Sequence, residues 1–183
     1  MKPHVGNGKI MRDPSIMRGP DGTLHLVWTT RLERQRFGFG YAHSKDLVHW
    51  WEQNFIPVME HEPAAVNVWA PELFYDDETE AVHHLLGFDD SGPLPRSSRS
   101  RTTTITGCTT PLHTTSKPSR RRNYFSIRTS SMIDCHDCSK DARHAYVLVL
   151  KDNTRPQRNI HVAFGKTALG PWHDISHQLH RQN

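Results

Sequence analysis

Tyr41-Ala-His-Ser-Lys-Asp-Leu-Val-His-Trp50 reads as a short strand, a lysine-bearing turn, and then a leucine and a tryptophan. The same order returns in Val162-Ala-Phe-Gly-Lys-Thr-Ala-Leu-Gly-Pro-Trp172, where Lys166 lies 121 residues beyond Lys45. One β unit recurring at that distance suits a propeller whose blades repeat roughly every 50 to 60 residues. A missing copy is expected between the two.

The flanking sequence agrees. Thr23-Leu-His-Leu-Val-Trp-Thr-Thr30 alternates large apolar with smaller or polar residues, as a half-buried strand does, and Gly19-Pro-Asp-Gly22 before it is a turn signal. Phe37-Gly-Phe-Gly-Tyr-Ala42, Phe55-Ile-Pro-Val-Met59 and Glu72-Leu-Phe-Tyr75 follow as further strands. Ala145-Tyr-Val-Leu-Val-Leu150 and Asn159-Ile-His-Val-Ala-Phe164 resume the style near the end. No segment carries a sustained helical period, so an all-β chain is expected.

The 183 residues are 35% hydrophobic, with 23 Lys and Arg against 19 Asp and Glu. The net charge of +4 conceals a division. From Ser91 to Ile133 there are 43 residues without one acid, and eight of them are basic: Arg96, Arg99, Arg101, Lys117, Arg120, Arg121, Arg122 and Arg128. Eighteen of the 43 are Ser or Thr, so the stretch reads as disordered and basic inside a mildly acidic protein. A nucleic-acid-binding arm, with Arg120-Arg-Arg122 beside Tyr124 and Phe125, is the functional alternative. Neither reading explains why the stretch interrupts a repeat, and nucleic acid is disfavoured as a partner.

No run of residues approaches the ~20 apolar ones of a membrane span, and Met1-Lys-Pro-His-Val-Gly6 carries no secretory pattern, so the compartment stays open. Cys135-His-Asp-Cys138, with Cys108 or His113, invites a zinc reading, but a single C-x-x-C without a second pair is a weak metal signal. No metal and no cofactor is expected.

Three motifs carry a family resemblance: Arg12-Asp-Pro-Ser-Ile16, Trp69-Ala-Pro-Glu-Leu-Phe-Tyr-Asp76, and Lys151-Asp-Asn-Thr-Arg-Pro156 followed by Ile160-His-Val-Ala-Phe164. Together, over about residues 1–80 and 143–176, they resemble the five-bladed β-propellers of glycoside hydrolase family 43 and its relatives. The resemblance implies an acid/base inverting glycosidase acting on oligo- or polysaccharide of plant type, containing arabinose or xylose. It implies an Asp general base on the first blade, which Asp13 matches, and a pKa-tuning Asp on the third, for which Ile133-Asp134 is the candidate. Without the family, Asp13 would be an Asp-Pro turn residue. The implied general acid is a Glu in a Glu-Gly-Pro motif. The sequence has no such motif and no glutamate after Glu80, so an inactive fragment is expected, ending before the blade that would supply the acid. Trp69 and Glu72 are candidate substrate contacts; Trp28, Trp50 and Trp51 belong more naturally to blade core.

The interrupted middle has a further reading. With one base removed after the codon of Glu80, codons permitted through Pro95 also encode Glu-Gln-Phe-Thr-Ile-Phe-Trp-Ala-Ser-Thr-Ile-Pro-Gly-Arg-Phe-Pro, a strand of the family type. Two bases later, Thr103–Ser119 permits Asp-Asn-His-Arg-Leu-Tyr-Tyr-Thr-Thr-Pro-His-Asp-Phe-Lys-Thr-Phe, a strand, turn and aromatic of the repeat. In that frame Arg122–Ser130 permits Lys-Leu-Phe-Phe-Asp-Pro-Asp-Phe, and Asp134–Cys138 with one base dropped permits Asp-Ala-Thr-Ile-Val. The expected fold is a partial five-bladed propeller with a disordered or ill-formed middle. Residues 1–80 are expected to hold blades one to two, 81–142 a frameshifted Ser/Thr/Arg-rich segment, and 143–183 resumed strands. The competing class is a non-enzymatic β module whose basic arm binds nucleic acid or another polyanion.

Overall fold

The computed structural model describes residues 1–5, 10–30, 37–58, 68–89, 102–111, 125–130, 132–140, 146–152 and 159–174. Among them are twelve strands in three four-stranded antiparallel sheets, each a meander of consecutive strands. The first holds β1 (Arg12–Arg18), β2 (Leu24–Thr29), β3 (Gly38–Ser44) and β4 (Trp50–Pro57). The second holds β5 (Trp69–Asp76), β6 (Ala81–Asp89), β7 (Thr102–Pro111) and β8 (Phe125–Ser130). The third holds β9 (Met132–Lys140), β10 (Tyr146–Asp152), β11 (Asn159–Gly165) and β12 (Trp172–Asp174). First strands begin 57 and then 63 residues apart, and β1 lies against β5, which in turn lies against β9. Three blades thus stand side by side with their first strands together at the centre.

Local chemistry sets the turns. Between β1 and β2 the Asp21 carboxylate accepts the Thr23 amide at 3.0 Å and the Thr23 hydroxyl at 2.6 Å, while Gly22 takes φ 79°. These bonds hold the Asp21 carboxyl down at about 2. Between β3 and β4 the repeat read from the sequence is a capped turn. Asp46 Oδ1 accepts the amides of Val48 and His49 at 2.9 and 2.7 Å, and the Trp50 indole donates to the Leu47 carbonyl at 2.9 Å. The second copy occupies the matching place between β11 and β12 of the third blade. The two copies are therefore two blades apart, as their spacing predicts.

Blades pack face to face through apolar side chains. Val27 and Phe39 of the first blade meet Val68, Leu73 and Leu86 of the second. Leu85 and Phe74 of the second meet Tyr146, Leu148, Leu150 and Ala163 of the third. β2 is covered on both faces and all six of its residues are buried, so the strand that its alternation predicted to be half-buried is buried throughout. The aromatic–glycine alternation of β3 also has a cause. Gly40 sits opposite the fully buried Trp28, and a Cβ there would lie 2.0 Å from Trp28 Cε2.

Across the second blade boundary runs a polar clasp. The buried Asp76 at the end of β5 accepts the Tyr146 hydroxyl at 2.7 Å and the Thr79 hydroxyl at 2.7 Å. Burial pushes its carboxyl up, but the bonds from Thr79, Tyr146 and the Glu78 amide, with His83 nearby, outweigh it and leave the pKa below its ordinary value.

Within 81–142 the backbone at 81–89, 102–111, 125–130 and 132–140 pairs as strands. β7 pairs with β6 from Ala81↔Pro111 to Asp89↔Thr103 without a register shift. The reason is that ladder bonds use backbone groups common to every residue, and Thr102-Thr-Thr-Ile-Thr106 is β-branched throughout. Arg96, Arg99, Arg101, Lys117, Arg120, Arg121 and Arg122 lie outside the described residues.

Candidate active site

The three central strands start with the same irregularity. In β1, Arg12 pairs with Thr29 and Ser15 with Val27, so Asp13 and Pro14 together face one partner residue. In β5, Trp69 pairs with Gly87 and Glu72 with Leu85, so Ala70 and Pro71 do likewise. Each is a bulge of one extra residue, and proline is tolerated in a strand at such a place because it has no ladder N–H to give. Asp13 and Ala70 take positive φ values of 46° and 38°, a region costly to residues with a Cβ. In β9 the register shifts between Ile133 and Cys135, which makes Asp134 the extra residue there.

Matched bulges bring matched positions together. Arg12-Asp-Pro-Ser15 and Trp69-Ala-Pro-Glu72 have matching bulge registers, and their fourth residues touch: the Ser15 hydroxyl donates to Glu72 Oε2 at 2.6 Å. The second residue of β5 is tied to the first blade as well. Its amide, that of Ala70, donates to the buried Thr29 hydroxyl at 2.8 Å. Thr29 is the partner of Arg12, so this bond lies at the level where both central strands begin.

Of the residues singled out from the sequence, Asp13 is exposed at the start of β1 and Glu72 is half-buried on β5. Trp69 opens β5 partly buried, its indole N–H meeting no acceptor among the described residues. Asp134 is the third residue of β9; its side chain lies outside the described residues, as do those of Cys108, Cys135 and Cys138, and His113 entirely. Trp28 is wholly buried core, while Trp51 is 46% exposed on the outermost strand of its blade, away from the central strands. Ser15 and Thr29 were not legible as site residues. Their signal is the shared proline, third in both tetrapeptides, which aligns Ser15 with Glu72.

A family profile described as "Probable glycosyl hydrolase domain", related to glycoside hydrolase family 43, matches residues 1–183. The chain belongs to that family. No curated protein sequence matches it. Among solved structures it is similar to the α-L-arabinofuranosidase from Lactobacillus brevis, with TM-score 0.56 and 15% identity over 87% of this chain and 50% of that one. It is similar to fructan 1-exohydrolase IIa from Cichorium intybus, with TM-score 0.61 and 12% identity over 91% and 32%. A glycoside hydrolase family 43 arabinoxylan arabinofuranohydrolase from Bacillus subtilis, in complex with cellotetraose, gives 0.61 and 13% over 88% and 35%. At such identities the likeness is one of fold, that of a partial five-bladed β-propeller. The family 43-related chain spans half the length of the first of these enzymes and about a third of the other two.

Proposed function

We propose that the chain forms part of the sugar-binding centre of a glycosidase that cleaves arabinose- or xylose-containing plant polysaccharide with inversion. The observation that supports this reading is the Ser15–Glu72 bond, which joins the bulged start of β1, where Asp13 lies, to that of β5. Asp13 is the general base. It takes a proton from water as the water oxygen bonds to the anomeric carbon and the glycosidic C–O bond breaks. A carboxylic acid opposite protonates the departing oxygen, and such pairs stand roughly 6.5–9.5 Å apart to admit the water. Asp134, a like charge near that acid, keeps it protonated. Trp69 offers an aromatic face to the sugar, and Glu72 accepts from its hydroxyls.

The 183 residues hold no Glu-Gly-Pro motif and no glutamate beyond Glu80, so this chain has the base without its acid. It is expected to bind arabino- or xylo-oligosaccharide and leave it uncut. The test pairs tryptophan fluorescence titration with hydrolysis of nitrophenyl arabinofuranoside and xyloside. Turnover well above that of Asp13→Ala would show that an acid is present after all, and failure to bind either oligosaccharide would remove the sugar reading.

A further inference from the structure

The first and third blades each connect their third to their fourth strand through a short turn that ends in a tryptophan, held by different hydrogen bonds. Asp46 caps the turn before Trp50 in one. In the other, the Gly170 amide donates to the Thr167 carbonyl at 2.9 Å, the Thr167 hydroxyl donates to the Gly170 carbonyl at 2.6 Å, and Trp172 opens β12. The second blade makes the same connection between β7 and β8, across residues 112–124. Those residues, Leu112-His-Thr-Thr-Ser-Lys-Pro-Ser-Arg-Arg-Arg-Asn-Tyr124, contain no tryptophan, which both other copies have, and no acid of the kind that caps the first-blade turn. Read two bases later, the codons permitted there give Asp-Phe-Lys-Thr-Phe. This is the acid, large apolar residue, two-residue spacer and aromatic of Asp46-Leu-Val-His-Trp50. A permitted shifted reading and the strand topology thus agree on the connection where the missing copy lies.

Burial gives a second argument. All seven residues from Ala81 to Gly87 of β6 are buried, since the strand lies inside a blade that is itself covered on both sides. His83 and His84 are neighbours there and so point to opposite faces, His83 toward Asp76 and Phe74 and His84 toward Phe39. Burial holds His83 below its ordinary pKa, although Asp76 stands 3.7 Å away. One base later the same codons permit Gln-Phe-Thr-Ile-Phe-Trp-Ala, the β-branched and aromatic run that a strand buried on both faces calls for. The 43-residue absence of acids takes in the outer two strands of this blade, β7 and β8.

We infer that most of residues 81–142 are specified by shifted reading frames, and that the natural second blade carries its own capped turn and an apolar inner strand. The inference rests on the blade repeat and does not depend on the sugar reading. Sequencing the source DNA across the codons for residues 75–150 decides it. The expected result is the loss of single bases after the codon of Glu80 and again before that of Thr103. A tryptic digest of the natural protein should then lack the peptide Asn123–Arg128 and contain one ending in Asp-Phe-Lys. DNA that reads through as printed, or recovery of the Asn123–Arg128 peptide, overturns the inference. Oligosaccharide binding at the starts of β1 and β5 is a separate measurement, so the two proposals fail separately.

Discussion

Ser15 and Glu72, 57 residues apart in sequence, meet through a 2.6 Å hydrogen bond at equivalent positions of two neighbouring central strands. A hydroxyl donating to a carboxylate orients it by fixing one of its oxygens. Ser15→Ala is expected to lower stability by about 1 kcal/mol, less than a fully buried charged bond would lose, because both partners are half-open to solvent. It should also weaken oligosaccharide binding by more than that loss of stability would explain. Urea denaturation and fluorescence titration on the same variant separate the two effects, and Ser15→Thr should restore both.

Thr29 holds Ala70 in its strained conformation from the neighbouring blade. Thr29→Val keeps the shape but orphans a buried amide, at a cost of about 1–3 kcal/mol. Thr29→Ser keeps the acceptor and should lose less than half of that. The shift in urea midpoint of the two variants checks the order; equal losses would mean that the methyl group, not the hydroxyl, is what matters.

Gly40→Ala places a methyl group against the Trp28 ring, which is wholly buried and has nowhere to retreat. Overpacking of this kind costs roughly 1–3 kcal/mol. The expected readout is a lower melting temperature together with a changed tryptophan emission, whereas an unchanged melting temperature would show that β3 can move away from β2.

His25 is buried and shares a 2.8 Å bond with the Tyr41 hydroxyl. Burial lowers its pKa from 6.5, Asp21 only partly opposing it, so the unfolded chain takes up the proton first as pH falls. Its contribution to stability is therefore intact above pH 6.5 and diminishes below, down to the folded pKa. His25→Phe should show a smaller drop in melting temperature between pH 7.5 and 5.5 than the parent. An identical pH profile would refute this.

Asp76 titrates in the same sense but lower. Its folded pKa lies below 3.8, so the stabilisation it gives is present above that value and is lost as pH falls through the folded one. Tyr146→Phe removes one of the donors that depress it. The variant is expected to be about 1.5–3 kcal/mol less stable at pH 7, with the gap to the parent closing in strong acid. Parallel acid-denaturation curves check it.

Most strands were legible where apolar residues alternate beside a turn signal. Thr23–Thr30, Ala145–Leu150 and Asn159–Phe164 each contain or overlap an observed strand, β2, β10 and β11. β1 escaped that reading because Asp-Pro signals a turn, and only the bulge reconciles it with a strand. β4 begins at Trp50, five residues before the segment read as a strand, because Trp51, Glu52 and Asn54 lie on an outer strand and need no apolar alternation. For the site, the motifs around Asp13 and Trp69 were visible, whereas the bonds made by Ser15 and Thr29 are long-range pairings that no local pattern encodes.

Each sheet is built from four consecutive strands, and none borrows a strand from another. The first sheet is complete at Pro57, before any residue of β5 has been synthesised. A chain emerging from the ribosome can therefore finish its hydrogen-bond ladders one sheet at a time, with only face-to-face packing left for later. The ladders that carry Asp13, Ser15 and Thr29 can thus close during translation whatever residues the second sheet contains.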